Sequence, residues 1–575
     1  MDNERKIDLI TITSNYTIRD TMVVINNAAP KGASSGIALI TDNDNKLIGI
    51  VTDGDIRRAL VNRIDIETRI EEIMVRDPIT VPKGLSESEM IEFAKKKTKA
   101  SLRLKDEKVD KVIVIDNEGR VDDVINLFDL WEASDIKNKD VLVVGLGYVG
   151  LTLSAVLADV GFKVIGYDTN KDIMENIKQG EPPFFEKGLS SLLRFHVNKK
   201  NLRTVSSLQM GLANVYIFCV GTPLEKNNKP SLKFIKNASK LVGKILKKRD
   251  LVILRSTVPV GTSQNVVLPI LEEESGLKGG EDFFLSFAPE RTTEGNALVE
   301  LRSLPQVIGG INTRSLNLAS KLFSNLNKTI VRLSSLEAAE MVKLINNAFR
   351  DLSFAFSNEL AVISDQWNLD VVNIIEAANE GYPRNHIPVP SPGVGGVCLK
   401  KDPYLYINSL KDEKIKAGLS SLGREINEYM PTFVSKKIES FIDSYKRNVD
   451  VKIFLIGFAF KGDPETSDMR ASASIDVLNL LKNNNGWQLF GYDPIVKRSE
   501  IEKLGIMGCS LREGFKNADC AVFLNNHSSY RSMDILGLAE MMNKPAYLFD
   551  GWHIFPHEEI ERVKGIVYGG LSGKN

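Results

Sequence analysis

Short apolar runs alternate with amphipathic stretches between about residue 141 and residue 330. The runs are VLVVG, KVIGYD, VYIFCVGTP, LVILRST and FFLSFAPE, and the segments between them have helical spacing. Strands that alternate with helices in this way form a parallel sheet with crossover helices. The alternation resumes near residue 450 with KIFLIGFAF, WQLFGYDP, CAVFLNN and AYLFDGW. The pattern therefore predicts an α/β chain with two doubly wound sheets.

The segment from Glu337 to Asn368 keeps helical periodicity over about 30 residues. This is longer than the usual helix of a globular protein and is typical of a helix that joins domains or subunits. We therefore predict three domains in this part of the chain: a first doubly wound domain at 139–330, a central helical and dimerisation domain at 331–440, and a second doubly wound domain at 450–575.

Residues 1–135 contain an internal repeat, in which ALITDNDNKLIGIVTDGDIRRAL is followed by KVIVIDNEGRVDDVINLFDLWEA. Each copy predicts a strand, a polar turn, a second strand and a helix. The repeat resembles a pair of CBS modules (cystathionine beta-synthase type), which implies an α+β regulatory region that binds an adenine nucleotide. By this resemblance Thr52 and Asp55 contact the ribose, although Asp55 is equally placed to be a helix cap. In the second copy Asn126 replaces the threonine and Asp129 remains.

Composition limits the possible functions. A chain of 575 residues needs several hydrophobic cores, and 43% hydrophobic residues can supply them. Basic and acidic residues number 74 each, so no global field attracts nucleic acid or anionic lipid, and a small-molecule partner fits better. The four cysteines and five histidines lack the spacing of a metal site. The polar start MDNERK and the free cysteines favour a cytoplasmic protein, and glycines interrupt the one long uncharged run, from Val141 to Ala158.

Three glycines follow the strand VLVVG and precede a helical stretch. They are Gly145, Gly147 and Gly150, and Asp168 ends the next predicted strand. Glycines in this context allow a tight turn and a close approach of backbone to a pyrophosphate, while the carboxylate accepts a hydrogen bond from a ribose hydroxyl. The arrangement predicts a Rossmann-like domain that binds NAD.

The segment SPGVGGVCLKKDPY leads three glycines into Cys398, and Asp402 follows one helical turn later. A thiol at a helix N-terminus has a lowered pKa and can act as a nucleophile. A small buried hydrophobe is the commoner role of a free cysteine taken alone. On the long helix, Lys343 and Asn347 share one face and could hold a substrate oxygen, or they are a solvated lysine and a surface amide.

From about residue 139 to its end, the chain resembles the UDP-glucose and GDP-mannose dehydrogenase family. The matching segments, in the order of the family, are GLGYVGL, CVGTPL, RSTVPVGT, APERTTEG, EMVKLINNAFRDLSFAFSNEL, SPGVGGVCLKKDP and IGFAFKGDPETSDMR. The resemblance implies catalytic roles for Cys398, Lys343, Asn347, Asp402, Glu290 and Thr257. Glu290 would be the base for hydrolysis, and Glu294 could share or replace that role.

The same resemblance adds Tyr148, Val149 and Thr222 to the cofactor site and assigns substrate contacts to Arg384, Gly395, Lys461 and Arg470. Arg384 would reach the site from a neighbouring subunit, which implies a homodimer. Oxidation of an alcohol to a carboxylate requires capture of the intermediate aldehyde, and a thiolate at Cys398 would perform it while two NAD are reduced.

Two other functions compete with this interpretation. A hydroxyacid or phosphogluconate-type dehydrogenase transfers one hydride and needs no thiolate, so Cys398 disfavours it. A non-catalytic adenine-nucleotide sensor would not need Lys343, Asn347, Asp402 and Glu290 together. Within the family, the segment PRNHIPVPSPGVGG favours a UDP-N-acetylhexosamine over UDP-glucose or GDP-mannose.

Overall fold

The computed structural model describes residues 7–28, 36–85, 89, 90, 93, 97, 111–126, 136–412, 414–445, 450–484 and 486–573. Two compact units are present, Met1–Lys137 and Asn138–Asn575. Within the described residues, every helix is too short or too polar to span a lipid bilayer.

The first unit contains two small sheets of identical topology. Their strands are β1 (Thr11–Thr13), β2 (Ile37–Thr41) and β3 (Leu47–Thr52) in one sheet, and β4 (Thr80–Pro82), β5 (Lys111–Ile115) and β6 (Val121–Asn126) in the other. The described helices of this unit include α1 (Ile18–Ala28) and α2 (Asp53–Val61). In each sheet the first two strands are parallel and the third is antiparallel to the second. Asp42 and Asp116 make the same turn, each accepting two backbone N–H groups at 2.9 Å. The strand, turn and second strand of the predicted repeat are thus present in both copies, while the helix predicted for the second copy, with Asp129, lies outside the described residues.

The second unit begins with an eight-stranded sheet of order β14-β13-β12-β11-β10-β7-β8-β9. Its strands are β7 (Val141–Val144), β8 (Val164–Tyr167), β9 (Leu202–Thr204), β10 (Val215–Phe218), β11 (Leu251–Leu254), β12 (Phe284–Phe287), β13 (Gln306–Gly310) and β14 (Ile330–Leu333). Its helices are α3 (Tyr148–Asp159), α4 (Lys171–Lys178), α5 (Leu189–Asn198), α6 (Lys233–Gly243), α7 (Leu268–Ser275), α8 (Ala297–Ser303) and α9 (Thr313–Phe323). Only the β12–β13 pair is antiparallel among these strands.

Four helices follow this sheet. They are α10 (Leu336–Gln366), α11 (Val371–Asn379), α12 (Val397–Ile407) and α13 (Gly418–Tyr445). The predicted long helix is therefore α10, whose N-cap Ser335 accepts the backbone N–H of Ala338. Buried side chains of α10 and α13 share one core with the last sheet, including Ala361, Phe433 and Ile453.

The last sheet is six-stranded and fully parallel, in the order β17-β16-β15-β18-β19-β20. Its strands are β15 (Val451–Ile456), β16 (Trp487–Tyr492), β17 (Met507–Gly508), β18 (Cys520–Phe523), β19 (Ala546–Asp550) and β20 (Ile566–Gly570); its helices are α14 (Ala473–Leu481), α15 (Arg498–Glu502), α16 (Leu511–Phe515), α17 (Ile535–Glu540) and α18 (His557–Ile560). Both large sheets reverse their strand order once, between β7 and β10 and between β15 and β18. Doubly wound sheets bind ligands in the crevice at such a point. The predicted fold class is confirmed.

Candidate active site

The glycine loop after β7 lies at the reversal point of the first sheet. Gly145 has φ +94°, and a Cβ there would lie 2.8 Å from the carbonyl oxygen of Cys219. A Cβ on Gly150 would lie 1.8 Å from the Gly145 carbonyl oxygen, whereas one on Gly147 would meet no atom within 4 Å. Gly145 and Gly150 therefore permit close packing of strand and helix. Gly147 leaves open space at the N-terminus of α3, as a pyrophosphate requires.

Asp168 follows the C-terminal end of β8, beside the glycine loop. Its carboxylate accepts the backbone N–H of Leu146 at 2.7 Å and that of Asn170 at 2.8 Å. The predicted cofactor glycines and Asp168 are thus in one place, and the backbone holds the carboxylate in position. Val149 is half-buried in the first turn of α3.

Tyr148 and Thr222 have protein partners. The Tyr148 hydroxyl donates to the Glu186 carboxylate, and the backbone N–H of Gly295 donates to that hydroxyl at 3.2 Å. The Thr222 hydroxyl donates to the Thr257 carbonyl oxygen at 2.6 Å and accepts from the Lys401 amine at 2.9 Å. Thr222 therefore links the loop that carries Thr257 to α12.

Cys398 is the second residue of α12, whose N-cap residue is Gly396 at φ +90°. Solvent reaches the Cys398 side chain, so it is not the buried hydrophobe of the alternative interpretation. The glycines before it pack against the last sheet's loops, since a Cβ on Gly396 would lie 2.8 Å from the Phe460 ring and one on Gly395 3.1 Å from the Phe460 carbonyl oxygen. Only glycines allow this approach.

The predicted lowering of the Cys398 thiol pKa is wrong. Desolvation by the surrounding protein raises the pKa of Cys398, and the negative charge of Asp402 raises it further, while Lys343 and Lys401 oppose the change. A helix N-terminus contributes only a partial charge. Here the surrounding protein and a full negative charge have the larger effect.

Lys343 and Asn347 are buried, with 8% and 6% of their surfaces exposed, so they are not solvated surface groups. The Asn347 amide donates to the fully buried Asp402 carboxylate at 2.6 Å, and the Lys401 amine lies 2.9 Å from the other oxygen of that carboxylate. The side chains that were predicted on α10 and α12 therefore meet beside Cys398.

Glu290 follows β12 and is tightly bound by the protein. One carboxylate oxygen accepts hydrogen bonds from two nitrogens of the Arg255 guanidinium group, Nη2 at 2.5 Å and Nε at 3.1 Å. The other oxygen accepts the backbone N–H groups of Arg291 and Thr292 at 2.7 and 2.8 Å. Burial alone would raise the pKa of Glu290, but Arg255, these hydrogen bonds and Lys343 hold it below its ordinary value.

Glu294 is four residues further along the same loop, and its pKa is shifted in the opposite direction. Burial, with the nearby charge of Asp468, raises the pKa of Glu294 to about 7, although Arg470 and Lys461 oppose the change. The Lys461 amine donates to the Glu294 carbonyl oxygen at 2.6 Å, and Arg470 pairs with Asp468 at 2.6 Å. Lys461 and Arg470 thus approach this loop from the last domain.

Arg384 is the predicted site residue that lies apart. It is exposed, and its guanidinium donates to the Tyr382 hydroxyl at 3.3 Å and lies over that ring. Among the described residues, Arg384 makes no hydrogen bond or ion pair with Cys398, Lys343, Asn347 or Asp402. A position in a neighbouring subunit's site remains the prediction for Arg384.

Four residues that make contacts in the site were not predicted from the sequence. They are Lys401, Arg255, Glu186 and Asp468. Lys401 adjoins Asp402 and Arg255 begins RSTVPVGT, so both stood inside motifs that were already singled out. Nothing in the local sequence marks Glu186. Among the described residues, no group of three or more histidines, cysteines or carboxylates could hold a metal ion.

In the N-terminal unit, Thr52 and Asp55 form a capping box at the start of α2. The Thr52 hydroxyl and backbone N–H donate to one Asp55 oxygen at 2.6 and 2.8 Å, and Arg58 pairs with the other oxygen at 2.6 Å. The capping role that was the alternative for Asp55 is therefore present in the structure.

Comparison with known families matches four segments of the chain. The UDP-glucose/GDP-mannose dehydrogenase family matches through its NAD-binding domain at residues 139–327, its central domain at 337–429 and its UDP-binding domain at 454–557. A CBS domain matches residues 5–62.

Individual relatives agree with these matches. A UDP-N-acetyl-D-mannosamine dehydrogenase of Campylobacter jejuni is 34% identical over 400 residues, which cover 68% of this chain and 96% of that protein. The solved UDP-D-ManNAc dehydrogenase of Pyrococcus horikoshii is 31% identical, covers 75% of this chain and 99% of its own, and superposes with a TM-score of 0.68. The UDP-N-acetyl-mannosamine dehydrogenase of Staphylococcus aureus is 27% identical, covers 75% and 98%, and gives a TM-score of 0.65.

These matches span the two large sheets and the helices between them, where the glycine loop, Cys398 and its polar neighbours lie. The predicted enzyme class, a nucleotide-sugar dehydrogenase with an NAD-binding domain, is confirmed. The chain belongs to the UDP-glucose/GDP-mannose dehydrogenase family.

Proposed function

We propose that this chain uses NAD to oxidise the C6 alcohol of a UDP-N-acetylhexosamine to a carboxylate, with Cys398 as covalent nucleophile. The observation that carries the proposal is the meeting of an accessible thiol with Lys343 and the Asn347–Asp402 pair. An enzyme that stopped at the aldehyde would not need the thiol. The names of the relatives in Campylobacter jejuni and Pyrococcus horikoshii support an N-acetylated mannosamine as the sugar.

The residues of the first domain fit NAD. The open space at Gly147 admits the pyrophosphate, and Asp168 can accept from the ribose. When bound, NAD supplies the hydride acceptor for both oxidations. Gly145, Gly150, Tyr148, Val149 and Thr222 complete the proposed cofactor site.

The reaction balances in four steps. Loss of a hydride and a proton from the alcohol gives an aldehyde. The Cys398 thiol adds to the aldehyde carbon, its proton passing to the carbonyl oxygen, to form a thiohemiacetal. Loss of a second hydride and a proton from this adduct gives a thioester. Water then cleaves the C–S bond, releasing the carboxylate and the thiol. One sugar alcohol, one water and two NAD thus yield one sugar carboxylate, two NADH and three protons.

Lys343 and Asn347 stabilise the substrate oxygen in these steps. The oxygen becomes negative when the alcohol loses its proton and when the thiolate or water adds to the carbonyl. A buried ammonium and an amide, both held in place before the reaction, stabilise such charge without reorganising. Asp402 fixes the Asn347 amide through the 2.6 Å hydrogen bond.

We assign the hydrolytic base to Glu294 rather than to Glu290, which was the first choice from the sequence. Both Glu290 oxygens already accept from Arg255 or from backbone N–H groups, and its lowered pKa makes it a weak proton acceptor. A pKa of about 7 suits a general base at neutral pH. Glu290 instead provides a fixed negative charge near Lys343, and Thr257 helps to hold the water.

Lys461, Arg470 and Gly395 form the proposed contacts with the nucleotide part of the substrate. The two cationic side chains lie on the loop after β15, at the reversal point of the second sheet. Cations at the C-terminal ends of strands suit a diphosphate. UDP-glucose and GDP-mannose remain the alternative substrates.

A homodimer completes the proposed site. Apolar residues recur every four or seven positions along one face of α10 and are exposed: Ile345, Phe349, Phe356, Ile363 and Trp367, with Phe349 and Trp367 at 72% and 74%. An exposed apolar stripe of this kind marks an interface. A second copy on this face would allow Arg384 of one subunit to contribute to the other's site.

For the N-terminal unit we propose adenine-nucleotide binding at Thr52 and Asp55. The Arg58 side chain that pairs with the Asp55 carboxylate is largely exposed. Surface ion pairs stabilise a fold by only about 0–1 kcal/mol, so a ribose hydroxyl can replace Arg58 as the partner of Asp55. Titration of ATP, ADP and AMP against the full chain and Asp55→Asn tests this proposal. Absence of binding to the full chain would leave assembly as the role of this unit.

The activity itself is tested by supplying UDP- and GDP-linked sugars separately with NAD and following NADH. The proposal expects two NADH per molecule of a UDP-N-acetylhexosamine and a sugar acid as product. A yield of one NADH, with an aldehyde or ketone product, would contradict it.

A further inference from the structure

Glu186 is a buried carboxylate with no part in the chemistry above. It lies in the segment before α5, with 5% of its surface exposed. Its carboxylate accepts from the Tyr148 hydroxyl, from the backbone N–H of Gly295 at 2.8 Å and from that of Ala297 at 2.9 Å. A buried anion is costly unless it is well hydrogen-bonded. These three neutral donors therefore define its position closely.

The donors come from two parts of the site. Tyr148 is the first residue of α3 and directly follows Gly147, where the pyrophosphate is proposed to bind. Gly295 directly follows Glu294 and is confined on its other side, since a Cβ there would lie 2.8 Å from the Glu465 carbonyl oxygen. Through these hydrogen bonds Glu186 connects the backbone next to Glu294 to the start of the dinucleotide-binding helix α3.

We infer that Glu186, with Tyr148, is a positioning residue that holds the Glu294 loop against the dinucleotide-binding helix and so places Glu294 for thioester hydrolysis. The inference rests on the proposed role of Glu294. A base displaced by about 1 Å can lose about 100-fold in rate. Lys461 and Glu300 also hold this loop, through hydrogen bonds to the Glu294 carbonyl oxygen and from the Thr293 backbone N–H, both at 2.6 Å. The hydrogen bonds of Glu186 are those that connect the loop to α3.

The charge of Glu186 has a second effect, which a purely structural role would lack. The charged or titratable groups that face Glu294 are Asp468, Arg470, Lys461, Glu186, Cys398 and Tyr148. Among them Glu186 contributes to the raised pKa of Glu294. Removal of this negative charge should lower the pKa of Glu294. Because a general base works when deprotonated, the acid limb of the pH profile for hydrolysis should then move to lower pH.

The variants Glu186→Gln and Tyr148→Phe test the inference in the full chain. Glutamine keeps the size of the side chain but turns an N–H group toward one of the three donors. Glu181→Gln is the matched control, since it removes an exposed carboxylate from the same connecting segment. Rapid mixing with excess NAD measures NADH formation and acid release, and intact mass measures the acyl group on Cys398.

We expect Glu186→Gln to form acyl-enzyme near the wild-type rate and to hydrolyse it about ten-fold or more slowly, so that the acyl group accumulates. The acid limb of its pH profile for hydrolysis should lie at lower pH than in the wild type. Tyr148→Phe should also slow hydrolysis, and Glu181→Gln should match the wild type. If Glu186→Gln does not fold, Tyr148→Phe alone decides. Wild-type hydrolysis in both variants, with an unshifted pH profile in Glu186→Gln, would overturn the inference alone. Failure of the wild type to form any acyl-enzyme would overturn the proposed function with it.

Discussion

Asp168 should make the enzyme prefer NAD over NADP. Its carboxylate is fixed by the backbone N–H groups of Leu146 and Asn170 at 2.7 and 2.8 Å, so it cannot easily turn away from a group on the adenosine ribose. NADP would bring a 2'-phosphate beside it. Two like charges about 4 Å apart repel by about 1 kcal/mol in water and by about 4 kcal/mol at an effective dielectric constant of 20.

Asp168 is half-buried, so the effective dielectric constant lies between these limits. The repulsion corresponds to a preference in kcat/KM of about five-fold to several-hundred-fold, because each 1.36 kcal/mol is a factor of ten. Asp168→Asn removes the charge and should reduce the preference by most of that factor. Asp172→Asn, an exposed carboxylate in the first turn of α4, is the matched control and should keep the wild-type preference.

The assay is NADH or NADPH formation with the sugar nucleotide held at saturation, over a range of each cofactor. Comparable kcat/KM for the two cofactors in the wild type would show that Asp168 does not face the ribose. An unchanged preference in Asp168→Asn would show that another group discriminates between them.

Three further predictions concern the Cys398 site and the dimer. Lys343→Met should lower kcat by about 100-fold or more without changing the melting temperature greatly, as stopped-flow NADH traces and calorimetry would show, since it removes the buried cation that stabilises the substrate oxygen. Thioester hydrolysis should decrease as pH falls through about 7, because Glu294 must be unprotonated, and Glu294→Gln should abolish this limb of the pH profile. Phe349→Glu should place a charge on the exposed α10 stripe and give a monomer by sedimentation, with turnover lost; a fully active monomer would refute the shared site.

The sequence predicts most strongly what depends on local pattern. The strands β7, β8, β10, β11 and β12 were predictable because each is a buried apolar run next to a turn signal, and α10 because its helical period continues for 31 residues. The strand β17 has two residues and no apolar run, so only its pairing with β16 defines it.

Contacts between distant residues could not be predicted in this way. Lys401 and Thr222 are 179 residues apart and Arg255 and Glu290 are 35 apart, and only the folded chain brings them together. The raised pKa of Cys398 has the same origin, since it depends on desolvation and on Asp402 rather than on the helix N-terminus. Residue types and spacing therefore led to the proposed nucleophile but did not predict its electrostatic environment.

The covalent role of Cys398 is tested most directly by intact mass and product analysis of Cys398→Ser beside the wild type. A hydroxyl is a poor substitute for a thiolate as a nucleophile toward an aldehyde. The account predicts a transient acyl group on wild-type Cys398 during turnover, and neither that adduct nor any sugar acid from Cys398→Ser. Normal sugar-acid production by Cys398→Ser would contradict the covalent mechanism.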